Sequence, residues 1–320
     1  MRWMLAAVAG ALLLLTSAYF SFLRPSFGPS RGQANRAASP CQDADVAHLQ
    51  AAGIEDRLLK SSLIRQGVAL IEGRRTIGAA VLNKQLAVSS CQLDLPPAGP
   101  SVSDSAELFR IAKDSVVVVG GLYKCSKCSR WHADTASGFV ISPYGAVVTN
   151  YHVVDCSTER ALVVMTADSH VYPVERVLAA SRADDLAILK VDAEGLQPLT
   201  LAGGVDAAPV GSAVSIISHP DGRFYCYTAG VVSRYMKTEL AGQEVDAVAV
   251  TADYARGSSG APVLNSQGQV VAVVSSTESI YYSEDGQRQR DFQMVFRTCI
   301  PSSSLWKMIR STSQLAGGTP

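Results

Sequence analysis

Apolar and polar positions change their texture twice along the chain. Trp3 to Leu23 is unbroken by charge and flanked by Arg2 and Arg24. No helical spacing gives it a polar face, which disfavours a helix packed on a soluble core. Two readings remain, and both send the rest of the chain across a membrane. Leu5 to Leu15 followed by Thr16-Ser17-Ala18 forms an export signal, while the whole run reaches the roughly 20 residues of a membrane anchor. Pro25 to Pro40 has no periodicity and is rich in Ser, Gly, Pro and Arg, as in a linker. Between Cys41 and Leu95 the apolar positions fall in pieces, Ile54 to Leu59 and Val68 to Ile71, which predict short elements rather than a long helix. Pro96, Pro97, Gly99 and Pro100 then break the chain.

Beyond the break, Ser103 or Asp104 can cap a short helix that turns Leu108, Ile111 and Ala112 inward. Short β-rich runs follow, among them Val116 to Val119, Gly138 to Ile141, Ala161 to Met165, Leu186 to Val191, Ala213 to Ile217, Val245 to Val250 and Val270 to Ser275. Turn signals such as Ser142-Pro143-Tyr144-Gly145 separate them, so an all-β sandwich or pair of barrels is predicted. A parallel sheet would need long helical crossovers, and the pattern has none. Ser302 to Ile309 reads as a closing helix. The expected organisation is therefore an export or anchor segment at 1–24, a linker at 25–40, a small extension at 41–100 and the β domain at 101–320.

Composition narrows the function. The chain has 320 residues, 48% of them hydrophobic and 18% charged, which excludes a disordered protein. Its formal net charge is zero, so it lacks the basic field that nucleic-acid binding requires. Seven cysteines are too few for a disulfide scaffold but permit disulfides in an exported chain, and Cys41 with Cys91 is a plausible pair. Cys125-Ser126-Lys127-Cys128 follows a strand and leads into a hairpin, which disfavours a redox motif. Zinc binding there would need further ligands from Cys156, His132 or Cys226, and ordinary disulfides are preferred, so no metal and no cofactor is expected.

Three patterns carry candidate chemistry. A hairpin ends in Thr149-Asn150-Tyr151-His152, presenting an imidazole at a cleft. Asp184-Asp185 directly precedes the apolar strand Leu186 to Val191, where a carboxylate can be partly buried. Gly257-Ser258-Ser259-Gly260-Ala261-Pro262 is a glycine-flanked serine turn entering another strand. Each alone is weak, but together they supply the hydroxyl, the imidazole base and the orienting carboxylate of nucleophilic acyl transfer. A small-residue turn at Gly257 to Ser259 can also aim successive N–H groups at a developing oxyanion.

The order His152, Asp185, Ser259 resembles that of the chymotrypsin-like serine peptidases, with the bacterial HtrA-type and glutamyl-endopeptidase-like branches nearest. Ser137-Gly138-Phe139-Val140-Ile141, Asp185-Leu186-Ala187-Ile188-Leu189 and Ser218-His219-Pro220-Asp221-Gly222 resemble further blocks of the family, and the likeness runs from about Ser103 to Ser313. The resemblance implies two six-stranded antiparallel β-barrels with the site in the cleft between them. It implies Ser259 as nucleophile, His152 as general base and acid, Asp185 as its orienter, and Gly257 and Ser259 N–H groups as oxyanion hole. Val274, Ser275 and Ser276 would bind extended substrate, and Asp253 occupies a position that in trypsin-like enzymes floors the pocket for a basic P1 side chain. Ala261 and Ala272 stand where the family often has glycine, and no PDZ module is expected after the closing helix. The expected function is an extracytoplasmic serine endopeptidase acting on proteins or peptides; a catalytically silent scaffold that binds peptides is the alternative. Residues 3–23 are its expected route to a membrane.

Overall fold

The computed structural model of the protein describes residues 53–97, 102, 104–155, 160–203, 207–285 and 288–310. The export or anchor segment, the linker, Cys41 and Cys156 lie outside these residues. Among the described residues no helix is long and apolar enough to cross a membrane.

The first element corrects the sequence reading: helix α1 runs unbroken from Asp56 to Glu72, 17 residues instead of two short pieces. Its inward line is Leu63, Gly67 and Leu70, and the glycine interrupts the apolar period. Gly67 is nonetheless part of the packing surface. A Cβ there would lie 2.2 Å from Leu122 Cδ1, and Leu122 is fully buried, so it has nowhere to move. Alanine would gain the roughly 1 kcal/mol of helix propensity that glycine forgoes, yet overpacking costs about 1–3 kcal/mol. Gly67→Ala is therefore expected to destabilise the fold by about 1 kcal/mol in urea unfolding, although it improves the helix. A stabilised variant would show that α1 packs elsewhere.

Helix α2 (Ala79–Gln85) buries Ala79 and Leu82, and β1 (Cys91–Gln92) pairs in parallel with the final strand β14 (Ile309–Arg310). Helix α3 (Ser105–Ala112) starts where Asp104 Oδ1 accepts from the Glu107 N–H at 2.8 Å, and it buries Leu108 and Ala112 while Ile111 faces out.

Two closed six-stranded barrels follow. The first joins β2 (Val116–Lys124), β3 (Trp131–Ser142), β4 (Ala146–Thr149), β7 (Leu186–Val191), β6 (Val171–Ser181) and β5 (Ala161–Met165) in that order. The second joins β10 (Gln243–Val250), β13 (Arg288–Pro301), β12 (Val270–Asp285), β11 (Pro262–Asn265), β8 (Ala213–Ser218) and β9 (Cys226–Leu240). Pairing within both barrels is antiparallel throughout, as an all-β chain without helical crossovers requires. Strands β2, β4, β7 and β11 are buried on both faces along most of their length. Along β2, Val116 and Val118 join one core cluster while Val117 and Val119 join another, so the run reads as continuously apolar. The cluster of Val116 also takes in Ile217, Leu264 and Ile300, which ties the two barrels together. A third cluster, with Val214, Val248, Val263 and Val274, fills the second barrel. Helix α5 (Ser302–Met308) closes the fold by burying Leu305 and Met308.

Tyr281–Asp285 and Arg288–Asp291 belong to a hairpin ribbon formed by β12 and β13. Ile280 pairs with Met294 and Tyr281 with Phe292, whose ring packs edge-on at 5.9 Å. Cross-strand pairs stabilise such a ribbon without burying a face, so no hydrophobic alternation announces it. The described cysteines, Cys91, Cys125, Cys128, Cys226 and Cys299, are all free thiols.

Candidate active site

His152 stands on α4 (Tyr151–Val154), a single helical turn that begins where β4 ends. Its Nδ1 lies 2.9 Å from both carboxylate oxygens of Asp185, and its backbone N–H donates to Asp185 Oδ1 at 3.1 Å. Asp185 holds a left-handed backbone (φ 52°) in the turn before β7, a conformation that Asp and Asn tolerate better than most residues. Asn150 Nδ2 secures that turn by donating to the Asp185 carbonyl oxygen at 2.9 Å. Adjacent Asp184 points elsewhere. It accepts from Ser181 Oγ at 2.7 Å and Ser304 Oγ at 2.8 Å, tying the turn to α5. Of the two carboxylates only Asp185 faces the imidazole.

The serine turn separates its two hydroxyls in the same way. Ser258 is fully buried, with Oγ 3.0 Å from Ser218 Oγ, whereas Ser259 is half-buried and lines a cleft of about 370 Å³ together with His152, Gly257, Thr135 and Arg160. The turn is held by two hydrogen bonds from Ser137 of the first barrel. Ser137 N–H donates to the Ser259 carbonyl oxygen at 2.9 Å, and Ser137 Oγ donates to the Gly257 carbonyl oxygen at 2.9 Å. Gly260 (φ 84°) leaves no room for a side chain, because a Cβ would come within 2.3 Å of the Ser137 carbonyl oxygen. On the other side of the turn, Asp221 N–H donates to the Arg256 carbonyl oxygen at 2.6 Å. A trans peptide points its C=O and N–H in opposite directions. Fixing the Arg256 carbonyl toward Asp221 therefore turns the Gly257 N–H away from Asp221.

A β-bulge in β12 places the third contributor. The register with β13 shifts between Val274 and Ser276, so Ser275 is the extra residue, and its Oγ donates to Asp185 Oδ2 at 2.8 Å. Val274 is buried and its backbone is spent internally: it accepts from the Gly260 N–H and donates to the Ala261 carbonyl oxygen, each at 2.9 Å. Ser275 and Ser276 line a second hollow of about 380 Å³ with Tyr151, His152 and Leu240, so the imidazole stands between two depressions. Asp253 is mostly exposed (76%) and forms an ion pair with the better buried Arg297 (17%). Its charge is therefore already matched by a guanidinium.

Ser137 and His219 appeared in the sequence only within family-like blocks, with no role of their own. Both support the serine turn from 82 residues apart, with the His219 N–H donating to Ser137 Oγ at 3.1 Å. Spacing in the sequence carries no signal of such a convergence. His219 is fully buried, and its Nδ1 accepts from the Tyr225 N–H at 3.0 Å, which leaves the proton on Nε2. Nε2 faces the backbone of Val117 without a well-formed hydrogen bond. Burial pushes its pKa down to about 4, so the native imidazole refuses a proton that the unfolded chain accepts near pH 6.5. Stability is then unaffected above pH 6.5 and falls as pH drops toward 4, by about 3 kcal/mol in all. Urea unfolding at pH 7 and at pH 4.5 measures the loss, and His219→Asn, whose side-chain oxygen can still accept from Tyr225, should show a smaller one. An equal acid loss in both proteins would assign the effect to other groups.

Residues 136–273 match the family described as the trypsin-like peptidase domain, a span containing His152, Asp185 and Ser259. A probable periplasmic serine endoprotease, DegP-like, of Halomonas elongata is 34% identical over 139 residues, covering 43% of this chain and 28% of that protein. The serine protease HTRA1 of Xenopus laevis is 28% identical over 166 residues, covering 50% of this chain and 36% of its own length. An HtrA-type protease solved with a decapeptide aligns with a TM-score of 0.49 at 18% identity, over 63% of this chain and 64% of the other. The chain thus spans about a third of the length of these curated relatives. Residues 136–273, which supply strands to both closed six-stranded barrels, are thus similar to a trypsin-like peptidase domain.

Proposed function

We propose that the chain is a serine endopeptidase that cleaves proteins or peptides through an acyl-enzyme. The observation that carries the reading is the Asp185–His152 pair, closed at 2.9 Å, whose imidazole lines the same cleft as Ser259. In this mechanism His152 takes the Ser259 proton as the hydroxyl attacks the scissile carbonyl, then returns it to the leaving amine. Asp185 holds Nδ1–H toward itself, which leaves Nε2 basic and able to accept from the hydroxyl. The Gly257 and Ser259 N–H groups receive the oxyanion, for which one donor is worth about 2.7–4 kcal/mol. Ser276 and its neighbours in the second hollow would take up extended substrate on the far side of the imidazole. The Asp253–Arg297 pair argues against a strong preference for a basic P1 residue, since a second cation would have to displace the guanidinium.

We also place the activity outside the cytoplasm. The uncharged Trp3 to Leu23 stretch supports this, as does the periplasmic description of the Halomonas relative. Incubation of the folded chain with a fluorophosphonate tests the chemistry directly. The expected product is a covalent adduct on the peptide containing Ser259. A folded protein that never labels, yet still captures peptides, would make it the silent scaffold instead.

A further inference from the structure

We propose that Cys125, Cys128 and His132 form a zinc site at the tip of the β2–β3 hairpin. Their three ligand atoms, two sulfurs and a ring nitrogen, all lie within 4.8 Å of one another. Cys128 Sγ and His132 Nε2 are already 3.1 Å apart. A tetrahedral ion with bonds of about 2.3 Å to sulfur and about 2.0 Å to nitrogen holds its ligand atoms roughly 3.4–3.8 Å apart. The cluster therefore needs only a small rearrangement to hold a metal: the Cys128–His132 pair opens by a few tenths of an ångström and the wider separations close by up to about 1 Å.

The chain between the cysteines is shaped to present both sulfurs. Cys125 N–H donates to the Arg130 carbonyl oxygen, and Ser129 N–H donates to the Cys125 carbonyl oxygen, each at 2.9 Å. Ser129 takes a left-handed conformation (φ 54°), which folds the tip back on itself. His132 belongs to β3 and pairs across the ladder with Tyr123, whose ring stacks on the imidazole at 5.8 Å and 23°. The backbone turn and the stacked ring thus set the donors before any metal arrives.

Donor chemistry selects the ion. Two thiols and an imidazole suit zinc and exclude magnesium, calcium and manganese, which take oxygen ligands. Cys128 is exposed, so water or an external ligand can occupy a fourth position. The site stands apart from the cleft chemistry. Its structural effect would be to tie down a hairpin whose β3 strand continues into Thr135 and Ala136 of the cleft wall.

The test is metal content of the full chain, purified reduced, exposed to excess zinc and dialysed. One zinc per chain is expected to remain, and cobalt in its place should give thiolate-to-metal charge-transfer and tetrahedral d–d bands. Loss of an outer-shell partner alone weakens metal sites about 10–100-fold, so Cys128→Ser and His132→Ala are each expected to weaken binding by at least about 100-fold. Lys127→Ala, on the same tip but bearing no ligand, should bind as the parent does. Circular dichroism of each variant checks folding, and Cys125→Ser provides a second ligand deletion should one misfold. A folded, reduced parent chain that retains no zinc overturns the proposal. So does retention by Cys128→Ser equal to the parent, or isolation of the untreated protein with Cys125 and Cys128 joined as a disulfide.

Discussion

Replacing Ser259 with alanine is expected to abolish fluorophosphonate capture and to lower kcat by about 10⁶-fold, with KM little changed. That factor corresponds to about 8 kcal/mol of transition-state stabilisation. The loss is this large because neither nearby serine, Ser258 nor Ser275, offers a free hydroxyl. Ser258, next in the chain, is buried against Ser218, and Ser275 is committed to Asp185. The turn itself should survive, because Ser137 holds it through the carbonyl oxygens of Gly257 and Ser259 and not through the Ser259 side chain. His152→Ala should cost about as much, and the double variant little more than either, since the hydroxyl and its base act as one unit. Residual turnover of about 10³–10⁴ over the uncatalysed reaction would remain from oxyanion donors and binding alone. Peptidase activity in Ser259→Ala within about ten-fold of the parent would remove the acyl-enzyme mechanism.

How much of this was legible depends on what kind of contact does the work. The barrel strands were visible because Val116 to Val119, Ala161 to Met165 and Leu186 to Val191 are buried on both faces and therefore read as apolar runs. Helix α1 was hidden by Gly67, which subtracts a hydrophobic residue from the stripe at the position where the helix comes nearest to Leu122. The β12–β13 ribbon was hidden because its pairs stabilise one another without a buried face. Within the site, local motifs named His152, Asp185 and Ser259 but could not describe their surroundings. The partners of Asp184 lie 3 and 120 residues away, and the guanidinium that neutralises Asp253 lies 44 residues further along. Ser275 shows the limit best. Nothing near it in the sequence announces that a bulge turns its hydroxyl onto a carboxylate 90 residues earlier in the chain.

Asp185→Asn is expected to lower kcat by about 10⁴-fold while leaving the fold intact. Asn is the informative replacement for two reasons. It tolerates the left-handed backbone that position 185 adopts, so the turn held by Asn150 should persist. It also replaces an acceptor-only group with an amide that both donates and accepts. The carboxylate now accepts from His152 Nδ1, the His152 N–H and Ser275 Oγ. An amide oxygen can serve only part of that set, and its NH₂ would face whichever donor remains. The cheapest relief is for the imidazole to move its proton to Nε2 and accept at Nδ1. That tautomer offers Ser259 a proton instead of taking one. The deficit should therefore fall on kcat, with unfolding free energy nearly unchanged, and it should ease at high pH, where hydroxide ion can replace the missing base. Ser275→Ala provides the comparison: it removes one donor but leaves the charge and the tautomer, so its loss should be far smaller than that of Asp185→Asn. Equal losses in the two variants would mean that Asp185 serves chiefly to hold the β12 bulge in place. A stable Asp185→Asn protein with full turnover would show that His152 is oriented by something other than this carboxylate.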